Sequence, residues 1–131
     1  MRQKRTPKAV EKEMKHFIDG QFVSSSGQAT FEVFDPTIGQ PYAVAYAAGT
    51  NEIDNAVNAA RRALGADWGG MSLDERCRLL SSLADRIHDR FEEFLVAECR
   101  DTGKPYELAR HVDIPRGAAN FRVFADVIRN I

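Results

Sequence analysis

Asp101-Thr102-Gly103-Lys104-Pro105 and, shortly after it, Asp113-Ile114-Pro115-Arg116-Gly117-Ala118-Ala119-Asn120-Phe121 are the two stretches that decide how this 131-residue chain is read. In the first, Gly103 and Pro105 spell a helix stop. Glycine accepts a left-handed backbone past the last turn, and proline cannot extend a helix. The second keeps helical spacing but contains Pro115, which lacks a backbone donor. A last helix from about Tyr106 onward is therefore predicted, kinked at Pro115. Working back, a helix carrying Phe94, Leu95 and Cys99 is expected to open at Asp89-Arg90-Phe91-Glu92. Before it, Ser72-Leu73-Asp74-Glu75 is a capping box, in which hydroxyl and carboxylate each satisfy an orphan amide. That helix should bury Leu80, Leu83, Ala84 and Ile87. The first helix is expected from Thr50 as cap, with a stripe of Ile53, Ala56, Val57, Ala60, Ala63 and Leu64. Gly65 closes it, and Trp68-Gly69-Gly70 reads as a link.

Before residue 50 the periodicity changes to that of strands. His16-Phe17-Ile18-Asp19-Gly20-Gln21-Phe22-Val23 sets an Asp-Gly pair between two short apolar segments, a hairpin signal resting on the positive φ such turns need. Thr30–Asp35 reads as a strand, Pro36-Thr37-Ile38-Gly39 as a turn and Tyr42–Ala47 as a second strand. The order is thus a β-rich start followed by four helices, an α/β arrangement.

Composition excludes several functions. The chain is 44% hydrophobic and 28% charged with net charge −1, which is ordinary for a globular protein and leaves no electrostatic footprint for nucleic acid. Charge is uneven: residues 1–15 carry six Lys/Arg against Glu11 and Glu13, a local +4, which leaves −5 for the remainder. This leader lacks the apolar core of a secretory signal, and with two acids and no serine it is a poor mitochondrial presequence. Its composition predicts an unstructured extension, because so little apolar surface cannot offset ordering entropy. Met14 is an alternative start. No run approaches the ~18 apolar residues of a membrane span. Two cysteines without a signal peptide point to free thiols in a reducing compartment, so a cytoplasmic location is expected.

Several of these segments, in this order, resemble the amino-terminal part of an aldehyde dehydrogenase. Phe17-Ile18-Asp19-Gly20 with Phe22-Val23 is similar to the family's opening hairpin. Asp35-Pro36-Thr37-Ile38-Gly39 resembles its Asn-Pro-x-Thr-Gly turn, with Asp for Asn and Ile for Thr. Trp68 with Ser72-x-x-Glu75-Arg76, and Asp101-x-Gly103-Lys104-Pro105, match further family spacings. Asp113–Phe121 looks most like the branch acting on 2-hydroxy- and 2-aminomuconate 6-semialdehydes. The resemblance implies that residues 16–131 are an incomplete part of an NAD-binding, Rossmann-like domain, the basic leader 1–15 lying outside it. It implies oxidation of a semialdehyde, such as the 2-hydroxymuconate 6-semialdehyde of aromatic catabolism, to the acid. A cysteine nucleophile, a glutamate base and an oxyanion-stabilising asparagine are expected, with hydride passed to NAD. The parent enzyme is expected to be a homo-oligomer. No residue of this chain is expected to be catalytic or to contact NAD, so the chain is expected to be inactive alone. Two other readings stay open: a dehydrogenase for another small aldehyde, and a non-catalytic α+β interaction module.

Cys77 and Cys99 lack the Gly-Gln-x-Cys context of the family nucleophile and read as buried small hydrophobes. His16, His88 and His111 have no metal-ligand spacing. Arg116 carries the sharper expectation. Arg122, Asp126 and Arg129 form a stripe expected to face solvent. At about 100° per residue Arg116 lies roughly 120° from it and Asn120 roughly 160°. Both should therefore lie away from water, near Phe121, Phe124 and Val127. A guanidinium there needs an anion. By resemblance this helix lines the substrate tunnel, where Arg116 would take the carboxylate of a muconic semialdehyde in a bidentate contact. The competing reading is an internal ion pair to Asp113 or a downstream acid. Asn120 is a second tunnel candidate or a helix-packing residue. Resemblance also offers Asp101, with the backbone carbonyls near Val33 and Phe34, as holder of a monovalent cation. Against this stands a plain turn-capping role for Asp101.

Overall fold

Asp19 and Gly20 both adopt positive φ, 53° and 76°, the conformation that a two-residue hairpin turn with the twist of its strands demands. They join β2 (His16–Ile18) to β3 (Gln21–Val23), with Phe17 opposite Phe22. The two rings sit 5.0 Å apart between centroids. This is the expected hairpin, seen in a computed structural model that describes residues 12–25, 27 and 29–130.

A second sheet has the order β1-β5-β4, formed by β1 (Lys12–Met14), β4 (Thr30–Asp35) and β5 (Gln40–Tyr46). β5 runs antiparallel to β4 and parallel to β1. β1 corrects the expectation of an unstructured leader through residue 15: its backbone groups pair with β5, and ladder hydrogen bonds order a strand whose side chains are largely exposed. Residues 1–11 lie outside the described residues. Asp35 nucleates the turn before β5, its carboxylate accepting the Thr37 amide at 2.9 Å and its carbonyl the Gly39 amide at 2.8 Å. This is an Asx-type turn.

α1 (Thr50–Gly65) begins where expected. Its first turn is satisfied by Glu52, whose buried carboxylate accepts the Gly49 amide at 2.8 Å and the Ser25 hydroxyl at 3.3 Å. The apolar stripe of α1 is uncovered at Ile53, Val57 and Leu64. Asp67–Gly70 closes into a short helical turn, α2, where a link was expected. α3 (Leu73–Asp89) opens on the predicted capping box, with the Ser72 amide donating to Glu75 at 2.8 Å. α4 (Phe91–Thr102) ends at Gly103, whose φ of 70° is the left-handed cap that the Gly-x-Pro stop anticipates.

Past Pro105 the backbone is helical again in three pieces: α5 (Tyr106–Leu108), a π-turn (Ala109–Asp113) and α6 (Ile114–Arg129). Pro115 supplies the cause of the wide turn. It has no amide for the His111 carbonyl, and in a regular helix its ring would collide with that carbonyl. The kink expected at Pro115 is thus a π-turn just before it.

The chain divides into two compact units at Ala59/Ala60. In the first, Tyr42 and Ala43 of β5 are buried. In the second, α6 packs on α3 through Ala118 and Ala125, both fully buried, with Cys77 and Ala84 facing them. Small side chains let the two backbones approach closely. Leu95 of α4 centres a further cluster with Ala109 and Ile114, flanked by Ile87, Phe91 and Cys99. Among the described residues no helix is long and apolar enough to cross a membrane.

Candidate functional site

α6 presents two different sides. One carries the buried Ile114, Ala118 and Ala125 and the partly buried Phe121, Ile114 meeting Leu95 of α4 and the Cys77 thiol of α3 donating to the Ala125 carbonyl at 3.3 Å. Arg122 and Arg129 flank this packed side and reach acids of α3, Arg122 pairing with Asp85 and Arg129 lying 3.7 Å from Asp74. The stripe of Arg122, Asp126 and Arg129 stays at the surface, Asp126 and Arg129 exposed and Arg122 partly so, while its two arginines also meet acids of α3. The buried alanines bring α3 close enough for both long cations to meet its carboxylates.

The other side carries Arg116, Asn120, Val123, Phe124 and Val127, all exposed. The expectation that Arg116 and Asn120 point away from water is therefore not met within these residues. At about 100° per residue they lie opposite the Ile114–Ala118 face. Apolar spacing alone cannot tell which of two apolar faces finds a partner. Their shared side with Phe124 and Val127 is as expected, and Phe121 is partly buried instead. The ion pair to Asp113 offered as an alternative for Arg116 is not formed: Asp113 pairs instead with Lys104, Nζ to Oδ2 at 2.8 Å. The Arg116 guanidinium has no anionic partner among the described residues.

Sequence reasoning missed two charged networks between α4 and the segment after Pro105. Arg110 donates to Glu92 at 2.7 Å and to the Tyr106 hydroxyl at 3.0 Å, and Tyr106 in turn donates to Glu92 at 2.7 Å. The guanidinium also stacks over the rings of Phe91 and Tyr106. The Tyr106 and Arg110 hydrogen bonds hold the Glu92 carboxyl below the ordinary glutamate range. In the second network Lys104 joins Asp113 and, at 3.4 Å, Glu98. The hydrogen bond to Asp113, with help from Glu98, raises the Lys104 ammonium above the usual lysine range. The four-residue step from Tyr106 to Arg110 was legible as a helical neighbour pair. Lys104 to Asp113 follows no local spacing and had no signal.

The remaining candidates fall in different units of the chain. Asp101 is exposed in the last turn of α4. There the Thr102 hydroxyl donates to the Glu98 carbonyl at 2.7 Å and accepts the Lys104 amide at 3.3 Å. Val33 and Phe34 lie on β4, in the other unit, at a break in the strand register. Among the described residues no three His, Cys, Asp or Glu side chains gather as a metal site. Gly69 is no phosphate cradle: a β-carbon there would overlap the Leu64 carbonyl, so its glycine serves a close return of the backbone. An open cavity of about 300 Å³ lies at the α3–α4 corner, lined by Leu83, Arg86, Ile87, Asp89, Arg90 and Phe94. It contains none of the candidate residues.

Comparison with known proteins bears on what this scaffold belongs to. The profile described as "Aldehyde dehydrogenase family" matches residues 22–131. A 2-hydroxymuconic semialdehyde dehydrogenase from a Pseudomonas species is 57% identical over 120 residues, covering 92% of this chain and 25% of that protein. A 2-aminomuconic semialdehyde dehydrogenase from Homo sapiens is 42% identical over 112 residues, covering 86% of this chain and 22% of that protein. An NAD+ complex of aldehyde dehydrogenase from Bacillus cereus superposes with a TM-score of 0.84 at 40% identity, covering 89% of this chain and 24% of that chain. The chain thus spans about a quarter of the length of the relatives it matches.

Proposed function

This chain belongs to the aldehyde dehydrogenase family, and from that premise we propose that it forms the amino-terminal part of an NAD-dependent enzyme oxidising a muconic-type semialdehyde, in which Arg116 recognises the substrate carboxylate. The observation that carries the proposal is an uncompensated guanidinium on an uncovered helix side whose other members are Asn120 and the apolar Val123, Phe124 and Val127. Support for the substrate class comes from the 57% identity to a 2-hydroxymuconic semialdehyde dehydrogenase. NAD enters by likeness to the Bacillus cereus complex. Its contacts, like the nucleophile and base, belong to the rest of the enzyme.

Once the apolar side of α6 is covered, Arg116 sits where water is scarce, and a charged group there needs a counter-charge. A planar guanidinium takes both carboxylate oxygens at once, which fixes orientation as well as charge. An aldehyde at the far end of the molecule would then be held at a set distance from Arg116. Asn120, one turn along on the same side, is proposed as a second wall residue.

The test is Arg116→Ala in the enzyme containing this segment. Hydrogen bonds to charged groups contribute about 1.5–3 kcal/mol, so KM for the carboxylate-bearing semialdehyde should rise roughly 10- to 100-fold. KM for a neutral aldehyde should stay within about threefold, since no charged contact is lost there. Equal changes for both substrates would refute the carboxylate role and favour another small aldehyde as substrate.

A further inference from the structure

Ala109 and Ile114 are both buried against Leu95. In an unbroken α-helix, residues five apart point roughly 140° away from each other. Hydrogen bonds from i to i+5 in a π-turn bring them to one side. The turn at Ala109–Asp113 therefore aligns the buried side of α5 with that of α6. By the same token it decides where the opposite side falls. Tightening the turn to a regular helix would rotate everything after it by about one residue, roughly 100°. Arg116 and Asn120 would then both be turned roughly 100° from the side they now occupy.

Pro115 opens the turn, but a proline alone sets no unique width. Two ties hold the turn against α4. Arg110, at its start, is bonded to Glu92. Asp113, at its end, is paired with Lys104, which also reaches Glu98 of α4. Asp113 Oδ2 is shielded from solvent, so the ammonium 2.8 Å away is what compensates its charge. Without it a shielded carboxylate oxygen would turn outward toward water, drawing the end of the turn with it. We infer that Lys104 is a positioning residue, its ion pair with Asp113 fixing the π-turn and thereby the rotation of α6 that turns Arg116 and Asn120 to the uncovered side. The kinetic side of this rests on the reading of Arg116 as a carboxylate reader; the geometric side does not.

Lys104→Met keeps the length of the side chain and removes its charge. In the enzyme containing this segment, amides of residues 110–116 should exchange with solvent roughly two- to five-fold faster, the scale of a half-exposed ion pair. KM for the carboxylate-bearing semialdehyde should rise by a similar factor with kcat nearly unchanged, and no further rise should occur when Arg116→Ala is already present. Lys104→Arg should restore both. Unchanged exchange in Lys104→Met overturns the inference whatever the kinetics. Faster exchange with KM raised equally for charged and neutral aldehydes leaves the clamp standing and sinks the Arg116 reading instead.

Discussion

Leu95→Ala is the perturbation whose size follows most directly from the structure. Leu95 is 0% exposed, while Val96, its neighbour on α4, is 57% exposed. Truncation removes three carbons from the centre of the Leu95, Ala109 and Ile114 cluster. At about 0.8 kcal/mol per buried carbon the transfer loss is roughly 2.4 kcal/mol. Two of the neighbours sit on helical backbone pinned by the π-turn, so the site cannot collapse fully, and the residual cavity brings the cost to about 3 kcal/mol. For a unit of this size a urea slope of about 1–1.5 kcal/mol per molar converts that to a midpoint lower by roughly 2–3 M. The assay is a urea titration of the chain followed by the fluorescence of Trp68, its single tryptophan, in the same unit as Leu95. Val96→Ala, as control, should cost less than about 0.5 kcal/mol. Coincident midpoints for the two variants would refute the placement of the core on this side of α4.

Gly103→Ala should lower the same midpoint by about 1 kcal/mol equivalent, because an L-residue at φ 70° carries a steric cost that glycine avoids; Gly103→Asn should cost less, and an unchanged alanine variant would contradict the left-handed cap. Glu92 should titrate below the ordinary glutamate range in carboxyl-carbon NMR, and Tyr106→Phe should move it back upward, since the Tyr106 hydrogen bond is the leading cause of the shift. A lowered carboxyl pKa stabilises the folded form above the ordinary glutamate value, and that contribution is lost as pH falls through the folded value. Acidification should therefore loosen the Tyr106–Arg110 segment in the native chain, an acid-sensitive step that Glu92→Gln lacks.

Local chemistry made much of the fold legible. Asp19-Gly20 names a hairpin because few residue pairs tolerate two positive φ values in succession. Ser72 and Glu75 name a helix start because their bonds lie within one turn. Gly103 and Pro105 name a stop for the same reason. The segments that drew the family resemblance are of this kind. Lys12–Met14 reads as part of an unstructured leader because its partner, Ala43–Ala45, is distant in the chain and its own composition carries no strand signal.

At the candidate site, helical phase correctly grouped Arg116 and Asn120 with Phe124 and Val127, because angles within one helix are set by a local repeat. Phase is silent on which face meets a neighbour. Ala118 and Ala125 took that role, since the side that packs on α3 is chosen by how closely two backbones can approach and not by which residues are most apolar. The pairing of Lys104 with Asp113, the denial of Asp113 to Arg116 and the alignment of Ala109 with Ile114 likewise depend on where α4 lies in space. The chain's own order of residues thus determined its elements, its turns and the company Arg116 keeps along its helix. Tertiary packing alone decided which side of that helix stays uncovered, because burial is a property of two surfaces and a sequence describes them one at a time.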